Sequence, residues 1–286
     1  MNTFDYKQAF SRNIGWVTTE EQAVLQRKRV AIGGLGGVGG SHLIVLARMG
    51  VGNFTIADLD AFELANFNRQ YGASISTLGR PKAEVMERTI SEINPEADIR
   101  TFPNGITLEN LDQFLADVDI YVDSLDIFAL EIRRAVFAAC YEKGIPTITA
   151  APMGMGTAFL VFMPGKMSFE EYFCLDGYDF EDQIIKFVIG VSPTVIQRKY
   201  LVDRSSVNFL MKKVPSTAMG IEIAAGVACT NVLKILLKRG GVIYAPYGLH
   251  FDAYKNYLKK TWRPFGNDNP LQKFMFWYVK RLLAKN

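Results

Sequence analysis

A glycine-rich turn between an apolar strand and an apolar helix is the first feature of this sequence that could do chemistry. The run RVAIGGLGGVGG follows the spacing G-x-G-G-x-G, through Gly34, Gly36, Gly37 and Gly39. Such glycines permit a tight turn and let backbone N–H groups approach a phosphate at a helix N-terminus. Asp58 ends the next strand about 20 residues later, the distance at which an acid meets a ribose hydroxyl in nucleotide sites. The pattern predicts a bound nucleotide but does not choose which one.

Further polar side chains follow the glycine loop at positions where they could reach the same ligand. Asn66 and Arg69 lie in the amide-rich loop ANFNRQ, and Lys82 lies in the predicted first turn of a helix, within GRPKAEV. Taken singly, Lys82 would be interpreted as a surface lysine, but a cation there opposes the helix dipole, so helix stability does not explain it. Asp126 ends the apolar strand VDIYVDSLD. Because ligands bind beyond the carboxyl ends of parallel strands, we expect Asp58 and Asp126 to share that rim.

Alternating strand and helix patterns surround these residues. A first βαβ unit spans roughly 29–58, and further strands are predicted at 98–102, in VDIYVDSLD and in IPTITAAP. Helices are predicted in PKAEVMERTISEIN, LENLDQFLAD and IFALEIRRAVFAACYEKG. Ahead of them, Thr18 precedes a short helix in which Gln22 is placed to complete a capping box. The alternation predicts an α/β protein with a Rossmann-like, doubly wound, mostly parallel sheet and helices on both faces.

The pattern changes after the strand IPTITAAP. GTAFLVFMP predicts another strand and GLHFDAYKNYLKKTW a strand pair, which make a C-terminal antiparallel extension. Residues 164–213 show poor periodicity, and we interpret them as an inserted lid or substrate-recognition segment. The helix near 215–238 is apolar nearly all round, which is typical of a buried or interface helix. The C-terminal helix, 265–286, has few basic residues, which favours docking onto its own domain or a twin subunit over lying on a membrane.

The composition of the whole chain narrows its class. The 286 residues are 49% hydrophobic, which predicts a folded protein with a substantial core. The net charge of +3 is too small to argue for nucleic acid. Three cysteines without a C-x-x-C exclude a four-cysteine zinc site. The N-terminus lacks the order of a signal peptide and no uninterrupted apolar run approaches a membrane span, so we expect a cytoplasmic protein.

The motifs together carry a family resemblance. They stand in the order FSRNI, GLGGVG, ADLD, ANFNRQ, the lysine of GRPKAEV, INP and DSLD. In order and spacing the chain strongly resembles the ThiF/MoeB/HesA family, the ubiquitin-activating-enzyme-like adenylyltransferases. The resemblance runs from about residue 8 to 164 and returns at 215–238 and 248–262. No dehydrogenase fingerprint requires an N-x-x-R-Q box followed by a helix-initiating lysine, so the combination is specific.

The resemblance implies an organisation and an activity. It implies one adenylation domain over 1–286, with a nucleotide-binding half at 18–163, the inserted segment and a C-terminal half at 214–264. Such enzymes use ATP and Mg²⁺ to convert a carboxylate into an acyl-adenylate with release of pyrophosphate. The carboxylate is expected to be the C-terminal glycine of a ubiquitin-like or sulfur-carrier protein, or a smaller acid on another molecule.

The resemblance also assigns roles to matching residues. The four loop glycines would bring the backbone against the nucleotide, and Asp58 would bind the ribose hydroxyls. The triphosphate would be bound by Asn66, Arg69 and Lys82. Asp126 would hold Mg²⁺, a hard cation that favours carboxylate and phosphate oxygen. Arg12 matches the family arginine that reaches the partner subunit's ATP, which implies a homodimer with active sites completed in trans.

The sequence departs from the family pattern in ways that keep alternatives open. The family's zinc-binding cysteine pairs are absent, and Ile127 and Glu131 stand where asparagine and arginine are usual. Cys174 could be a displaced nucleophile, but a lone cysteine among aromatic residues is more often structural. Adenylation followed by release therefore fits better than a thioester mechanism. The alternatives are an NAD- or FAD-dependent oxidoreductase, which the loop and Asp58 would serve equally, and a nucleotide-binding module without the chemistry, which Ile127 and Glu131 favour.

Overall fold

The computed structural model describes residues 4–207 and 214–283, which divide into two compact units. The first unit comprises the described residues up to Leu125 together with Ala225–Val242. The second comprises those of Asp126–Ala224 together with the residues from Ile243 onward. The functional division predicted from the sequence, with one adenylation domain and a lid at 164–213, stays a prediction.

Parallel strands form the sheet of the first unit. They are β1 (Arg29–Gly33), β2 (Asn53–Ala57), β3 (Asp98–Phe102) and β4 (Ile120–Asp123). Their order is β3-β2-β1-β4, with parallel pairing throughout. Every residue of β1 is buried, as expected for a central strand of a parallel sheet. The strand order reverses direction beside β1, where doubly wound sheets bind ligands. The predicted Rossmann-like α/β class is confirmed.

A short helix that the sequence does not predict, α1 (Tyr6–Ala9), lies near the start of the chain, and the predicted α2 (Thr19–Arg27) precedes β1. As the sequence predicts, β1, β2 and β3 are each followed by a helix, which are α3 (Gly37–Arg48), α4 (Lys82–Ile93) and α5 (Leu111–Phe114). The capping box of α2 is formed by Thr18 with Glu21, so the expectation for Gln22 is wrong. Gln22 is instead buried, and its Nε2 donates to the Met49 carbonyl at 2.9 Å. Glu21 thus completes the cap of the helix, whereas the next residue, Gln22, packs inward.

The N-terminal arm, residues 4–17, is docked on the first unit. The Tyr6 hydroxyl donates to the Gly50 carbonyl, and the Asn13 side chain donates to the Arg48 carbonyl at 3.2 Å. Both acceptors lie at or just after the end of α3. These contacts fix the arm and so fix where Arg12 stands.

The second unit is built on antiparallel strands. They are β5 (Thr147–Pro152), β6 (Gly156–Phe162), β7 (Tyr247–Asp252) and β8 (Tyr257–Trp262). Sequential neighbours pair, so the order is β5-β6-β7-β8. β6 is buried along its whole length, whereas β7 alternates between buried and more exposed residues. The predicted C-terminal antiparallel extension is confirmed.

Much of the segment predicted to be a lid is helical and packed. After α6 (Leu130–Glu142), it contains α7 (Phe169–Phe173) and α8 (Phe180–Val191). The Phe169 ring lies 4.5 Å from those of Phe137 and Phe173, and Phe173 lies 5.0 Å from Phe187. The buried aromatic residues of α7, Phe169, Tyr172 and Phe173, lie on one face, but a helix of five residues is too short to give a clear period in the sequence. Residues 208–213 of the predicted segment lie outside the described residues.

The long apolar helix is α9 (Ala218–Leu236). Its buried side chains recur every three or four positions, at Ile221, Ala224, Ala225, Ala228, Cys229 and Val232. By length and composition alone this helix could cross a membrane, although Glu222 and Lys234 interrupt its apolar run. Half of its most apolar window is buried inside the protein, and a core helix passes the same test.

The C-terminal helix is α10 (Pro270–Leu283), and one face of it docks on α8. The Gln272 side chain donates to the Ile189 carbonyl at 3.1 Å, and the Lys280 amine donates to the Asp182 carboxylate at 2.7 Å. Docking onto its own unit is therefore as predicted. The other face stays exposed through Leu271, Phe274, Trp277 and Tyr278.

Candidate nucleotide-binding site

The glycine loop joins β1 to α3, and steric limits demand glycine at two of its positions. Gly34 has a φ of +87°, a left-handed conformation that L side chains rarely adopt. A Cβ on Gly34 would overlap the Ser124 carbonyl, and a Cβ on Gly39 would overlap the Gly34 carbonyl. The loop therefore packs backbone against backbone. These two glycines are required by the fold itself.

Gly36 is not required in this way. Gly36 is the N-cap residue of α3 without a side-chain capping bond, and Gly37 is the first helical residue. A Cβ on Gly36 would meet its nearest protein atom, Gln70 Nε2, only at 3.6 Å. A helix start without a capping side chain presents free backbone N–H groups, which suit an anion. The protein thus leaves open the place where a phosphate is predicted.

Gln70 is a site residue that the sequence reasoning missed. Its side chain is buried beside Gly36, and within the described part of the chain its Oε1 has no hydrogen-bond partner. Buried polar atoms are normally paired, so an unpaired amide oxygen next to an open loop fits a polar ligand that supplies a donor. The sequence feature that could have identified Gln70 is its position in the NRQ box, directly after Arg69.

Asp58 lies directly after β2 and is fixed to the glycine loop. Its Oδ2 accepts a hydrogen bond from the Leu35 N–H at 2.6 Å, and its Oδ1 accepts one from the Asp60 N–H at 2.8 Å. Burial raises the pKa of the Asp58 carboxyl, although the two N–H groups and the Lys82 charge act in the opposite direction. A half-buried acceptor held against the loop fits the predicted ribose contact.

Asn66 ends a 3₁₀ helix, Leu64–Asn66, and Arg69 lies in the turn that follows it. Asn66 is buried, and its Oδ1 accepts the Glu63 N–H at 2.9 Å. The Arg69 guanidinium donates to the Ala65 carbonyl at 2.8 Å and to the Asn68 side chain at 2.9 Å. Both acceptors are neutral, and the described residues place no carboxylate in ion-pair contact with Arg69. Its charge therefore stays available to an anionic ligand.

Lys82 begins α4 and is only 5% exposed, so its interpretation as an ordinary surface lysine is wrong. Its Nζ lies 3.0 Å from Asp60 Oδ2. The Asp60 N–H donates in turn to Asp58 Oδ1 at 2.8 Å, so Asp60 links the Lys82 amine to the ribose-binding candidate. The structure thus gathers a buried cation, Asp58 and the open glycine loop in one unit.

Arg12 and Asp126 are placed at the surface. Arg12 is exposed on a 3₁₀ turn, Ser11–Asn13, and no residue in the described ranges forms an ion pair with it. β4 ends at Asp123, so the expectation that Asp126 ends this strand is wrong. Asp126 is the first residue of the second unit, and its Oδ1 accepts the Phe128 N–H at 2.9 Å. Glu131 lies in the first turn of α6. The roles of Arg12 in trans and of Asp126 on Mg²⁺ stay predictions.

The donor set fits magnesium only together with a nucleotide. Among residues 4–207 and 214–283, no group of three or more His, Cys, Asp or Glu side chains could hold a metal ion. Mg²⁺ in ATP-using sites is commonly held by one or two carboxylates together with substrate phosphates and water. A single carboxylate such as that of Asp126 is sufficient for that arrangement.

The three cysteines are poor nucleophiles in this fold. Cys140 and Cys229 are fully buried, and burial raises the pKa of both thiols. Cys174 is half-buried in a left-handed conformation, and burial raises the pKa of its thiol as well. The thiolate is the reactive form of cysteine, so a raised pKa disfavours attack. This agrees with the structural interpretation of Cys174.

The parallel sheet, the glycine loop at a helix start and the acid after β2 define a nucleotide-binding protein of the Rossmann-like class. Within that class the chain belongs to the ThiF family, whose family model matches residues 10–272. The resemblance predicted from the motifs is thereby confirmed, and the dinucleotide-dependent oxidoreductase is not favoured.

Curated relatives share about a third of the aligned residues. The tRNA threonylcarbamoyladenosine dehydratase of Bacillus subtilis is 34% identical over 142 residues, which are 49% of this chain and 55% of that protein. The sulfur carrier protein ThiS adenylyltransferase of Escherichia coli is 32% identical over 166 residues, 57% of this chain and 65% of that protein. The chain thus spans between half and two thirds of these relatives' length.

Solved structures share the fold at lower identity. The crystal structure of E. coli MccB with ATP aligns with a TM-score of 0.63 and 21% identity, covering 88% of this chain and 68% of that one. At this identity the likeness shows the fold alone.

Proposed function

We propose that this protein is an ATP- and Mg²⁺-dependent adenylyltransferase that activates a carboxylate. A carboxylate oxygen attacks the α-phosphorus of ATP, the bond from that phosphorus to the bridging oxygen breaks, and pyrophosphate leaves. The single observation that carries the proposal is the buried Lys82 amine, which lies 3.0 Å from Asp60 Oδ2 while the Asp60 N–H donates to Asp58. A triphosphate explains this cation, whereas a hydride-transfer site gives it no role.

Different residues of the first unit are proposed to bind the nucleotide and to neutralise its charge. The start of α3 at Gly36 and Gly37 receives phosphate oxygens, and Asp58 accepts hydrogen bonds from the ribose hydroxyls. Arg69 offers a planar fork to the triphosphate, with Asn66 beside it, and Lys82 offers a compact charge. Two anions must approach one another in this reaction, so catalysis consists mainly of positioning and of neutralising charge on the phosphates.

Asp126 would hold Mg²⁺. Bound there, the ion would neutralise charge on the departing pyrophosphate as a Lewis acid. We do not assign a thioester step, because burial raises the pKa of the Cys174 thiol. Adenylation followed by release to a separate acceptor is the simpler course.

The carboxylate that accepts the adenylyl group is proposed to be the C-terminal carboxylate of a ubiquitin-like or sulfur-carrier protein, or a carboxylate on another molecule. The name of the E. coli relative, sulfur carrier protein ThiS adenylyltransferase, supports the first class. The name of the B. subtilis relative, tRNA threonylcarbamoyladenosine dehydratase, is an example of the second. We assign the choice between them to the segment 164–213, which follows the nucleotide-binding half in the sequence.

Exchange of labelled pyrophosphate into ATP tests this function and its acceptor together. The protein is assayed with a sulfur-carrier protein ending in Gly-Gly, with tRNA carrying threonylcarbamoyladenosine and with a peptide carboxylate. Exchange needs reversible adenylation, so one acceptor should raise the rate by on the order of 100-fold over its absence. ATP binding without exchange for any acceptor would contradict the proposal. It would favour the non-catalytic module to which Ile127 and Glu131 point.

The proposed homodimer is tested by mixing two inactive variants. Arg12→Ala would lack the residue supplied in trans, and Asp126→Ala would lack the metal ligand in cis. Each alone should be inactive, but a mixed dimer contains one site with both residues intact. Random reassortment should therefore restore about a quarter of the unaltered activity. No restoration, although the variants are shown to exchange subunits, would argue against action in trans.

A further inference from the structure

Asp60 contacts both the backbone N–H and the side-chain amine of Lys82. Its side-chain Oδ2 lies 3.0 Å from the Lys82 amine, and its backbone carbonyl accepts the Lys82 N–H at 2.9 Å. Between these contacts, Ala61 and Pro81 form an isolated antiparallel bridge. The segment that starts at Asp60 therefore fixes both where α4 begins and where the amine of its first residue points.

Asp60 also contacts the carboxylate assigned to the ribose. Its N–H donates to Asp58 Oδ1 at 2.8 Å, and Asp58 Oδ2 accepts the Leu35 N–H of the glycine loop at 2.6 Å. A continuous chain of hydrogen bonds thus runs from the loop through Asp58 and Asp60 to Lys82. All of these residues belong to the first unit.

Burial explains why Lys82 needs this partner. The side chain of Lys82 is 6% exposed, whereas that of Asp60 is 59% exposed. A buried cation is costly unless a countercharge lies nearby, and a carboxylate that stays in water provides one at little desolvation cost. Asp60 is the carboxylate that the described structure places in ion-pair contact with Lys82.

We propose that Asp60 is a positioning residue, which aims the Lys82 amine at the triphosphate and balances its charge until ATP binds. The inference rests on the proposed function, because it takes Lys82 to meet phosphate. Asp60 acts through Lys82 and need not touch the nucleotide. If Asp60 instead competed with ATP for the amine, its removal would strengthen ATP binding. The change in ATP affinity on removing the Asp60 carboxylate therefore has opposite signs in the two cases.

Calorimetric titration with ATP and Mg²⁺, without any acceptor, tests the inference. Asp60→Asn should weaken ATP binding by about tenfold, the scale of one charge-assisted contact. Adenosine affinity should change by less than about twofold, because adenosine carries no phosphate for Lys82 to meet. Asp60→Glu keeps the charge and should recover part of the loss. Glu84→Gln is the matched control, since Glu84 is also 59% exposed and pairs with Arg80 next to the same turn.

A double-variant comparison separates positioning from general damage. If Asp60 acts through Lys82, Asp60→Asn should weaken ATP binding by less than about twofold when Lys82 is already alanine. Unchanged or tighter ATP binding by Asp60→Asn would overturn the inference, and so would an equal loss of ATP and adenosine. Failure of the unaltered protein to bind ATP would overturn the proposed function as well. ATP binding without pyrophosphate exchange would count against the proposed function alone.

Discussion

Gly34→Ala and Gly39→Ala are each expected to lower the free energy of unfolding by roughly 3 kcal/mol or more. At Gly34 the added methyl group would overlap the Ser124 carbonyl in a backbone conformation that alanine rarely adopts. At Gly39 it would overlap the Gly34 carbonyl. Both obstacles are backbone atoms, which cannot move aside as a flexible side chain can. Such a loss is a large part of the roughly 5–15 kcal/mol that stabilises a typical domain.

Gly36→Ala is the matched control for this prediction. Its methyl group would meet Gln70 Nε2 at 3.6 Å, an ordinary contact, so urea unfolding should stay close to that of the unaltered protein. ATP affinity should nevertheless fall by about tenfold or more, because the methyl group occupies space proposed for phosphate. Wild-type stability in Gly34→Ala, or wild-type ATP affinity in Gly36→Ala, would contradict the division of the loop into fold-supporting and ligand-facing glycines.

Arg69→Ala and Lys82→Ala are each expected to lower pyrophosphate exchange by about 10²–10³-fold. Charge shifts onto the departing pyrophosphate as the carboxylate attacks, and these two cations are the groups of the first unit proposed to meet it. Among the residues that the structure describes, Arg69 donates to neutral oxygens, so its charge is available to the ligand. Lys82 is buried, so its charge is little screened by solvent.

Arg80→Ala is the control for these two variants. Arg80 lies two residues before Lys82, but its guanidinium pairs with Glu84 at the surface. Surface ion pairs contribute on the order of 1 kcal/mol or less, so its loss should leave both stability and exchange nearly unchanged. Thermal unfolding of all three variants distinguishes lost chemistry from lost folding.

The nucleotide-binding half could be predicted from the sequence because its signals are local. The apolar run of β1, the glycine spacing and the proline before Lys82 each fix their own neighbourhood, and the structure places the strand, the turn and the start of α4 accordingly. The spacing of these motifs also sufficed for the family, which the match over residues 10–272 confirms.

Features that depend on contacts distant in sequence could not be predicted in this way. The burial of Lys82 and its pairing with Asp60, 22 residues earlier, are shown by no local pattern. The arm depends on contacts such as that of Asn13 with Arg48, 35 residues away. Asp60 and Gln70 belong to motifs recognised from the sequence, yet only their surroundings in the fold suggest their roles.

The aromatic segment after β6 shows a different limit. In α7 the buried residues Phe169, Tyr172 and Phe173 are spaced i, i+3 and i+4, so they share one helix face. A helix of five residues is nevertheless too short to be predicted from such a pattern alone. The packing of Phe173 against Phe187 of α8 is a contact that no local pattern shows.

The most direct test of the central claim is pyrophosphate exchange by the unaltered protein, Arg69→Ala, Lys82→Ala and Arg80→Ala with the acceptor that supports it. We expect exchange in the unaltered protein and in Arg80→Ala, and an exchange rate lower by about 10²–10³-fold in Arg69→Ala and Lys82→Ala. Full exchange in both Arg69→Ala and Lys82→Ala would contradict it, because the triphosphate would then be bound by groups other than those gathered at this loop.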